Sequence, residues 1–221
     1  MIIVLLVVMT LVAYFGGVYV ENRQVGNWIR FISDVLLVGI VALIIANNSY
    51  HFGMQKQVEK TTTSVQSALP QQKIPFLLYE PLGNAGKEQV YLYHSGSSKL
   101  KHTSTDQTTN RVVRRAGKPE LVSEKTVWRY QNNFSRLMFG VAGNDGTRIK
   151  TRNTFYLPKN WVVMSSKDAK KLAKPAIQAK LRQNVQGKLQ EALRNQPQLT
   201  KSEQQALMLQ YQSQAIERLI K

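Results

Sequence analysis

From Met1 to Val20 the chain reads MIIVLLVVMTLVAYFGGVYV, with no charged side chain. Twenty such residues at 1.5 Å per residue cover about 30 Å, the thickness of a bilayer's hydrocarbon core. A cleaved signal peptide needs a basic leader, a shorter apolar stretch and a small-residue cleavage site. Nothing basic precedes Ile2, and Tyr19-Val20-Glu21 is a poor cleavage sequence, so the pattern predicts a retained membrane helix. Trp28 to Ala46 predicts a second span, wholly apolar from Val35 onward, with Glu21 to Asn27 as the connection. Trp28 at one end, and Tyr50 and His51 at the other, stand where interfacial aromatic anchors stand. Arg30 and Asp34 are four residues apart on one helical face and can pair. Residues 1–47 are therefore read as a transmembrane helical hairpin, with the Arg30–Asp34 pair a structural feature near the interface.

Beyond the hairpin the period changes twice. Residues 48–73 are polar and read as a stalk or an exposed edge strand. Residues 74–166 carry strand patterns at Ile74–Glu80, Val90–Ser95, Arg111–Arg115, Leu121–Tyr130, Arg148–Leu157 and Trp161–Ser165. Turn chemistry at Gly83-Asn84-Ala85-Gly86, Ala116-Gly117-Lys118-Pro119, Gly143-Asn144-Asp145-Gly146 and Pro158-Lys159-Asn160 separates them. Phe134 to Val141 fits strand or helix. With no helical pattern between strands to make parallel crossovers, the expectation is an antiparallel, mostly-β domain.

Residues 167–221 then read as a basic amphipathic helical tail. Ser166 is the expected cap of a helix beginning near Lys167, and Pro175 its kink or restart. Ile177, Leu181, Val185, Leu189 and Leu193 form one stripe, opposite Lys180, Arg182 and Arg194, and Asn195-Gln196-Pro197 ends that helix. Thr200 to Glu203 is a capping box opening a last helix with Leu207, Tyr211, Ala215 and Leu219 on one face. Such a pair packs on itself, on the β domain or on a partner. The fold class expected is α+β and membrane-anchored.

Composition adds one asymmetry. Mean hydropathy is -0.27, yet residues 1–50 are neutral in net charge and the whole +17 lies in residues 51–221. A surplus of that size suits an anionic partner or simply keeps a domain soluble. The candidate anionic-partner patch is Arg111, Arg114, Arg115, Lys167, Lys170, Lys171 and Lys174, with Tyr91, Tyr93, Trp128, Tyr130, Tyr156 and Trp161 interleaved on strands. Cations interleaved with aromatics can form a stacking groove for single strands of nucleic acid, but in a small β domain those aromatics are first of all core. Arg23 and Arg30 flank the connection between the spans, and the N-terminus is uncharged at its side chains. The positive-inside rule therefore places the connection in the cytoplasm and both termini and the soluble portion outside.

Candidate chemistry is sparse. Asn47-Asn48-Ser49 and Asn133-Phe134-Ser135 match a glycosylation pattern that is common by chance. There is no cysteine, and His94 and His102 have no carboxylate pair near them in sequence, so no metal site is expected. Ser97 and Ser98 lack the Gly-x-Ser-x-Gly elbow, and Glu120 and Glu124 share an exposed strand face with Lys118 and Lys125 nearby. No catalytic residue and no cofactor are expected.

One set of segments carries a resemblance: His51-Phe52-Gly53-Met54, Leu77 to Gly83, Phe139 to Asn144, and Asn153 to Val163 (NTFYLPKNWVV), following an apolar helix pair. Over roughly residues 1–165 the chain resembles a two-helix membrane protein family of lactic acid bacteria, catalogued as domain of unknown function family 4811. The resemblance implies no activity, cofactor or catalytic residue. Members of that family often lie beside multidrug efflux permeases, which implies a transporter as partner. The readings that follow are a non-enzymatic accessory or regulatory subunit of a membrane complex, or an envelope module binding anionic wall polymer or lipid. Membrane lipid and an integral membrane protein are the expected partners, and nucleic acid becomes one only if the topology is inverted.

Overall fold

The computed structural model describes residues 1–82, 88–96, 99–196, 198 and 200–220; the turn expected at Gly83-Asn84-Ala85-Gly86, the serines Ser97 and Ser98, and Pro197 lie outside the described residues. The chain is α+β and divides into two compact units. One comprises Met1–Glu59 and Lys125–Lys150, the other Lys60–Glu124 and Thr151–Lys221.

The first unit begins with α1 (Ile2–Val18) and α2 (Arg23–Tyr50). The connection is shorter than the pattern suggested, because Asn22 caps α2: its Oδ1 accepts from the N–H groups of Gln24 (3.1 Å) and Val25 (3.5 Å). A Cβ added at Gly26 would lie 2.7 Å from the carbonyl oxygen of Gly16, so the two backbones cross at a point only glycine permits. At the far end of α2, His51 adopts a left-handed conformation (φ 57) and the Phe52 N–H returns to the Ala46 carbonyl at 3.1 Å. Asn47 is 1% exposed and donates from Nδ2 to the Phe52 carbonyl at 2.8 Å. The glycosylation pattern at Asn47 thus marks a buried structural amide.

His51, read as a residue at the membrane edge, stacks on Trp128 with ring centroids 4.2 Å apart, and Lys56 Nζ lies 5.3 Å from the Trp128 ring. The ambiguous Phe134 segment is helical: α3 (Asn133–Phe139) is capped by Asn132, whose Oδ1 accepts from the Ser135 N–H at 2.8 Å, and runs into a 3₁₀ turn at Gly140–Ala142. Ile2, Ile40, Met54, Tyr130 and Phe139 bury one another in a single cluster, and the Tyr130 hydroxyl donates to the Phe139 carbonyl at 2.9 Å.

Eight strands follow the helix pair among the described residues: β1 (Met54–Ser64), β2 (Phe76–Leu82), β3 (Glu88–Tyr93), β4 (Lys101–His102), β5 (Thr108–Arg114), β6 (Glu120–Tyr130), β7 (Arg148–Leu157) and β8 (Val162–Ser165). They form two four-stranded sheets, ordered β1-β6-β7-β5 and β4-β3-β2-β8. The polar segment after the helix pair therefore supplies an edge strand, β1. The expectation of antiparallel pairing throughout is corrected: β2 pairs antiparallel with β3 but parallel with β8, and β5 pairs parallel with β7. Parallel pairing needs a long crossover but not a crossover helix of its own. Here whole strands supply it, β6 and α3 standing between β5 and β7 in the chain.

In the second unit the two faces of β2 are both buried. Leu77 packs with Tyr91, Tyr93, Leu121, Phe155, Leu157 and Trp161 between the sheets, while Phe76 and Leu78 pack with Val162 and Met164 on the opposite face. That opposite face is covered by helices: α4 (Ser166–Leu172), α5 (Pro175–Asn195) and α6 (Lys201–Ile220), through Leu172, Leu181, Leu209 and Ile216. Ser165, one residue before the expected cap, holds α4; its Oγ accepts from the Asp168 N–H at 3.0 Å. Pro175 stands in the first turn of a new helix, where its missing N–H costs nothing. The capping box forms as read: the Thr200 N–H donates to Glu203 Oε2 at 2.8 Å, and the Glu203 N–H returns to Thr200 Oγ1 at 3.4 Å.

The tail packs on the β domain; the α5 stripe turns inward as expected, while on α6 the buried face shifts off Leu219. On α5 Val185 is buried while Ile177, Leu181, Leu189 and Leu193 are half-buried; on α6 Ser213 and Ile216 are buried and Leu219 is exposed. Truncating Leu77, fully buried between the sheets, should cost about 2–5 kcal/mol. Leu181→Ala should cost less, about 1–1.5 kcal/mol, as half-burial of a leucine implies. Urea denaturation of the full chain in nanodiscs, followed by circular dichroism, checks the order; equal costs would show that the α5 stripe is as deeply packed as the sheet core.

Candidate functional site

The predicted basic patch separates into spent and unspent cations. Arg111 Nε donates to Thr154 Oγ1 at 3.0 Å, across the parallel β5–β7 pairing. Arg114 donates to the Trp161 carbonyl at 2.7 Å and pairs with Glu217 of α6 at 2.9 Å. Arg115 pairs with Glu120 and lies over the Tyr156 ring, 4.1 Å from its centroid. All three arginines hold elements of their own unit together. Glu124 is likewise matched with Arg152 at 4.0 Å, so Glu120 and Glu124 each stand beside an arginine. The interleaved aromatics are core: Tyr91, Tyr93, Tyr130 and Trp161 are buried, and burial pushes the hydroxyls of Tyr91, Tyr93 and Tyr130 above the ordinary tyrosine range.

Of the lysines, Lys171 Nζ pairs with Asp168 Oδ1 at 2.9 Å, Lys167 lies in the first turn of α4, and Lys174 is the residue before α5. Lys170 differs, because it lines a cavity. In the first unit, Arg30 and Asp34 stand 3.9 Å apart as the four-residue spacing predicts, with side chains 68% and 55% exposed.

The cavity of the second unit measures about 880 Å³. Its floor is the outer face of the β2–β8 sheet, with Phe76, Leu78 and Met164, and its walls are the segment around Leu69–Ile74 and helices α4, α5 and α6. Sequence alternation explains that floor, since Phe76 and Leu78 share the face opposite Leu77. Polar groups gather on the lining: Lys73, Lys170 and Arg182, with Glu80 as the acidic residue. None of these three cations has an ion-pair partner among the described residues. Ser166 also lines the cavity, and its Oγ is buried with no hydrogen-bond partner among the described residues.

Lys73 and Arg182 escape a sequence reading because each looks like solvent-facing polarity, one in a polar connection and one opposite an apolar stripe. Ser166 is a helix cap by pattern, and only the shift of the cap to Ser165 releases its hydroxyl. An amphipathic cavity of this volume falls in the usual range of small-molecule sites.

A family model, Domain of unknown function (DUF4811), matches residues 22–172. The chain belongs to this family. No curated protein and no solved structure matches it. The DUF4811 match begins at the cap of α2 and ends with α4, so it takes in every strand and leaves α1, α5 and α6 outside. It runs slightly past the resemblance read from the sequence, to Leu172, and starts later. The floor of the DUF4811 cavity and the α4 wall with Lys170 lie inside the match, whereas Arg182 and Ile216 lie outside it.

Asp168 anchors the α4 wall. The Lys171 ammonium and the Ser165 hydroxyl (2.7 Å to Oδ2) hold its carboxyl below the usual aspartate range. A depressed folded value means the stabilisation is complete above the unfolded value, near pH 4, and is lost as pH falls through the folded one. Asp168→Asn should therefore lower stability at pH 7 and flatten its decline as pH falls below about 4. Denaturation midpoints across that range test this; a variant with an unchanged acid limb would show that Asp168 contributes nothing to it.

Proposed function

We propose that the chain is a non-enzymatic accessory subunit of a membrane complex, anchored in the bilayer by a two-pass helical hairpin. The observation that carries this reading is the apolar surface α2 leaves uncovered. The helix is 28 residues long with a mean hydropathy of 2.4 over its most apolar window, and 11% of that window is buried. Val35, Val38 and Ile45 are more than half exposed. In water such a surface is a large liability; in lipid it is a solvated face. At 1.5 Å per residue the helix reaches about 42 Å, more than the roughly 30 Å hydrocarbon core, so its first turns can stand at headgroup level and Arg30 can extend toward water.

α1, with 17 residues, is shorter, and supports a span by packing on α2 at Gly16 and Gly26. Beside its first turn lies α3, whose Met138 and Phe139 join the Ile2 cluster. The outer side of α3 and its 3₁₀ extension carries Phe134, Leu137 and Val141, all well exposed. An apolar face continuous with the helix pair suits an interfacial segment resting on the same membrane.

Two tests follow from this reading. The native chain has no cysteine, so single cysteines at the exposed positions Glu21 and Gln190 report without background. In intact cells a membrane-impermeant maleimide should label Gln190→Cys and spare Glu21→Cys, as expected if the basic portion is extracytoplasmic and the helix connection cytoplasmic. The reverse pattern inverts the topology and makes inner-leaflet anionic lipid or nucleic acid the leading partner.

In mild detergent the chain should co-purify with an integral membrane protein in fixed stoichiometry, a transporter being the expectation from the family resemblance. The double change Arg30→Ala and Asp34→Ala should leave both insertion and association intact. A chain that purifies alone defeats the accessory reading, and loss of the partner in the double variant makes the intramembrane pair its docking point. The envelope-module reading keeps its support in the net charge of +17 and in cations without an ion pair among the described residues, including those of the cavity; Arg114 and Arg115 are paired internally.

A further inference from the structure

We infer that the cavity of the second unit binds a single-chain amphiphile with an anionic head, such as a fatty acid or a lysophospholipid phosphate. The inference does not depend on the accessory-subunit reading, since the site stands wholly within residues 69–216 of one unit.

The chemistry of the lining is divided. Its apolar part is a continuous surface made by Ile74, Phe76, Leu78 and Met164 with Leu181 and Ile216 facing them from the helices. A wholly polar metabolite would leave that apolar surface unused, while Gln71, Gln72, Gln178 and Gln212 on the same lining can serve the polar head of an amphiphile. Its charged part is Lys73, Lys170 and Arg182 against Glu80, a net positive lining in which the cations have no acidic partner among the described residues. Elsewhere in the same unit Arg114, Arg115 and Lys171 each meet a carboxylate, whereas the three cations of this cavity are open to an incoming oxyanion. The buried Ser166 hydroxyl, unpartnered and on the lining, adds a donor that an oxyanion can accept from.

The volume accommodates one long chain with its head. At roughly 30 Å³ per methylene, close to the liquid-volume share of a water molecule, a sixteen-carbon chain fills about 500 Å³. The cavity holds about 880 Å³. A carboxylate and a phosphate share the recognition chemistry, an oxyanion held by lysine, arginine and hydroxyl donors.

The experiment uses the full chain in phosphatidylcholine nanodiscs and a photoreactive, clickable sixteen-carbon fatty acid, with labelled peptides mapped by mass spectrometry. Labelling is expected within residues 69–80, 160–182 and 201–216. Unlabelled palmitate and lysophosphatidate should compete, and neutral monopalmitin and zwitterionic lysophosphatidylcholine should compete at least about tenfold more weakly, the factor that losing one good charged contact brings. Competition by only one of the two anionic lipids would support the class and assign the head.

The triple variant Lys73→Gln, Lys170→Gln, Arg182→Gln should lose cavity labelling about tenfold or more while labelling of the membrane helix 23–50 stays unchanged, and Met208→Trp, which fills the space without touching the charge, should lose it as well. Circular dichroism and the retained helix labelling report that both variants fold and insert. Labelling confined to the membrane helices, equal competition by monopalmitin, or an unaffected triple variant would each overturn the inference. None of those outcomes bears on partner co-purification, so the two readings fail separately.

Discussion

Leu77 on one side of β2, and Phe76 and Leu78 on the other, are all removed from water, so the sheet that carries them has to be covered twice. This constraint orders the second unit. Between the sheets, Phe155, Leu157, Tyr91 and Tyr93 close over Leu77, with the Tyr93 and Phe155 rings edge to face at 5.5 Å. On the other side no third sheet is present among the described residues, and the amphipathic helices α4, α5 and α6 take the place. Burying a leucine-sized side chain contributes about 1.5–3 kcal/mol, so leaving the Phe76–Leu78–Met164 face bare would forfeit more than a marginally stable domain can lose. Helices cover a flat sheet imperfectly where their contact positions are few, and the cavity lies on that side, where the helical cover meets the sheet.

Charge is distributed by the same logic. The arginines nearest the β core act as staples: Arg114 ties the end of β5 to α6 through Glu217 and to the Trp161 carbonyl, and Arg111 and Asn110 knit β5 to β7 through Thr154 and Asn153. Individually such exposed pairs stabilise by at most about 1 kcal/mol. Their consequence for function is subtractive, since they withdraw three cations from a surface that otherwise looks built for a polyanion. Three cations without an ion-pair partner among the described residues, Lys73, Lys170 and Arg182, line the cavity, where charge sits beside apolar surface.

In the first unit the controlling element is the contact of two backbones. Gly26 against Gly16 lets the backbones of α1 and α2 approach where a Cβ would clash, and the ends of the strands with α3 seal the other end through Ile2, Ile40 and Phe139. Arg129 secures the strand ends by pairing with Glu59 at 2.6 Å and Asp145 at 3.5 Å. The outward faces stay apolar on both helices and on α3.

Much of this was legible in the residues taken alone, because local physics decides it. An uncharged apolar run defines α1, and the apolar run from Val35 onward defines most of α2; turn residues bound β7 at its true limits, Arg148–Leu157; side-chain chemistry fixes the Thr200–Glu203 box and the Arg30–Asp34 pair, both of which span three or four residues. Family membership was legible too, through segments such as NTFYLPKNWVV. Contacts between residues far apart in the chain were not. Parallel pairing of β2 with β8 joins residues more than eighty positions apart, and no local period reports on it. The face of α6 turned from Leu219 toward Ile216 because the β2–β8 sheet, and not α5 alone, is what it covers. Arg111, Arg114 and Arg115 looked like a binding surface until tertiary structure supplied Thr154, Glu217 and Glu120 as partners, and Lys73, Ser166 and Arg182 became a site only when three separate segments met around one cavity. Sequence determines which surfaces must be hidden; which groups are left without a partner after the hiding is decided by tertiary packing, since burial and pairing are properties of the neighbours and not of the residue.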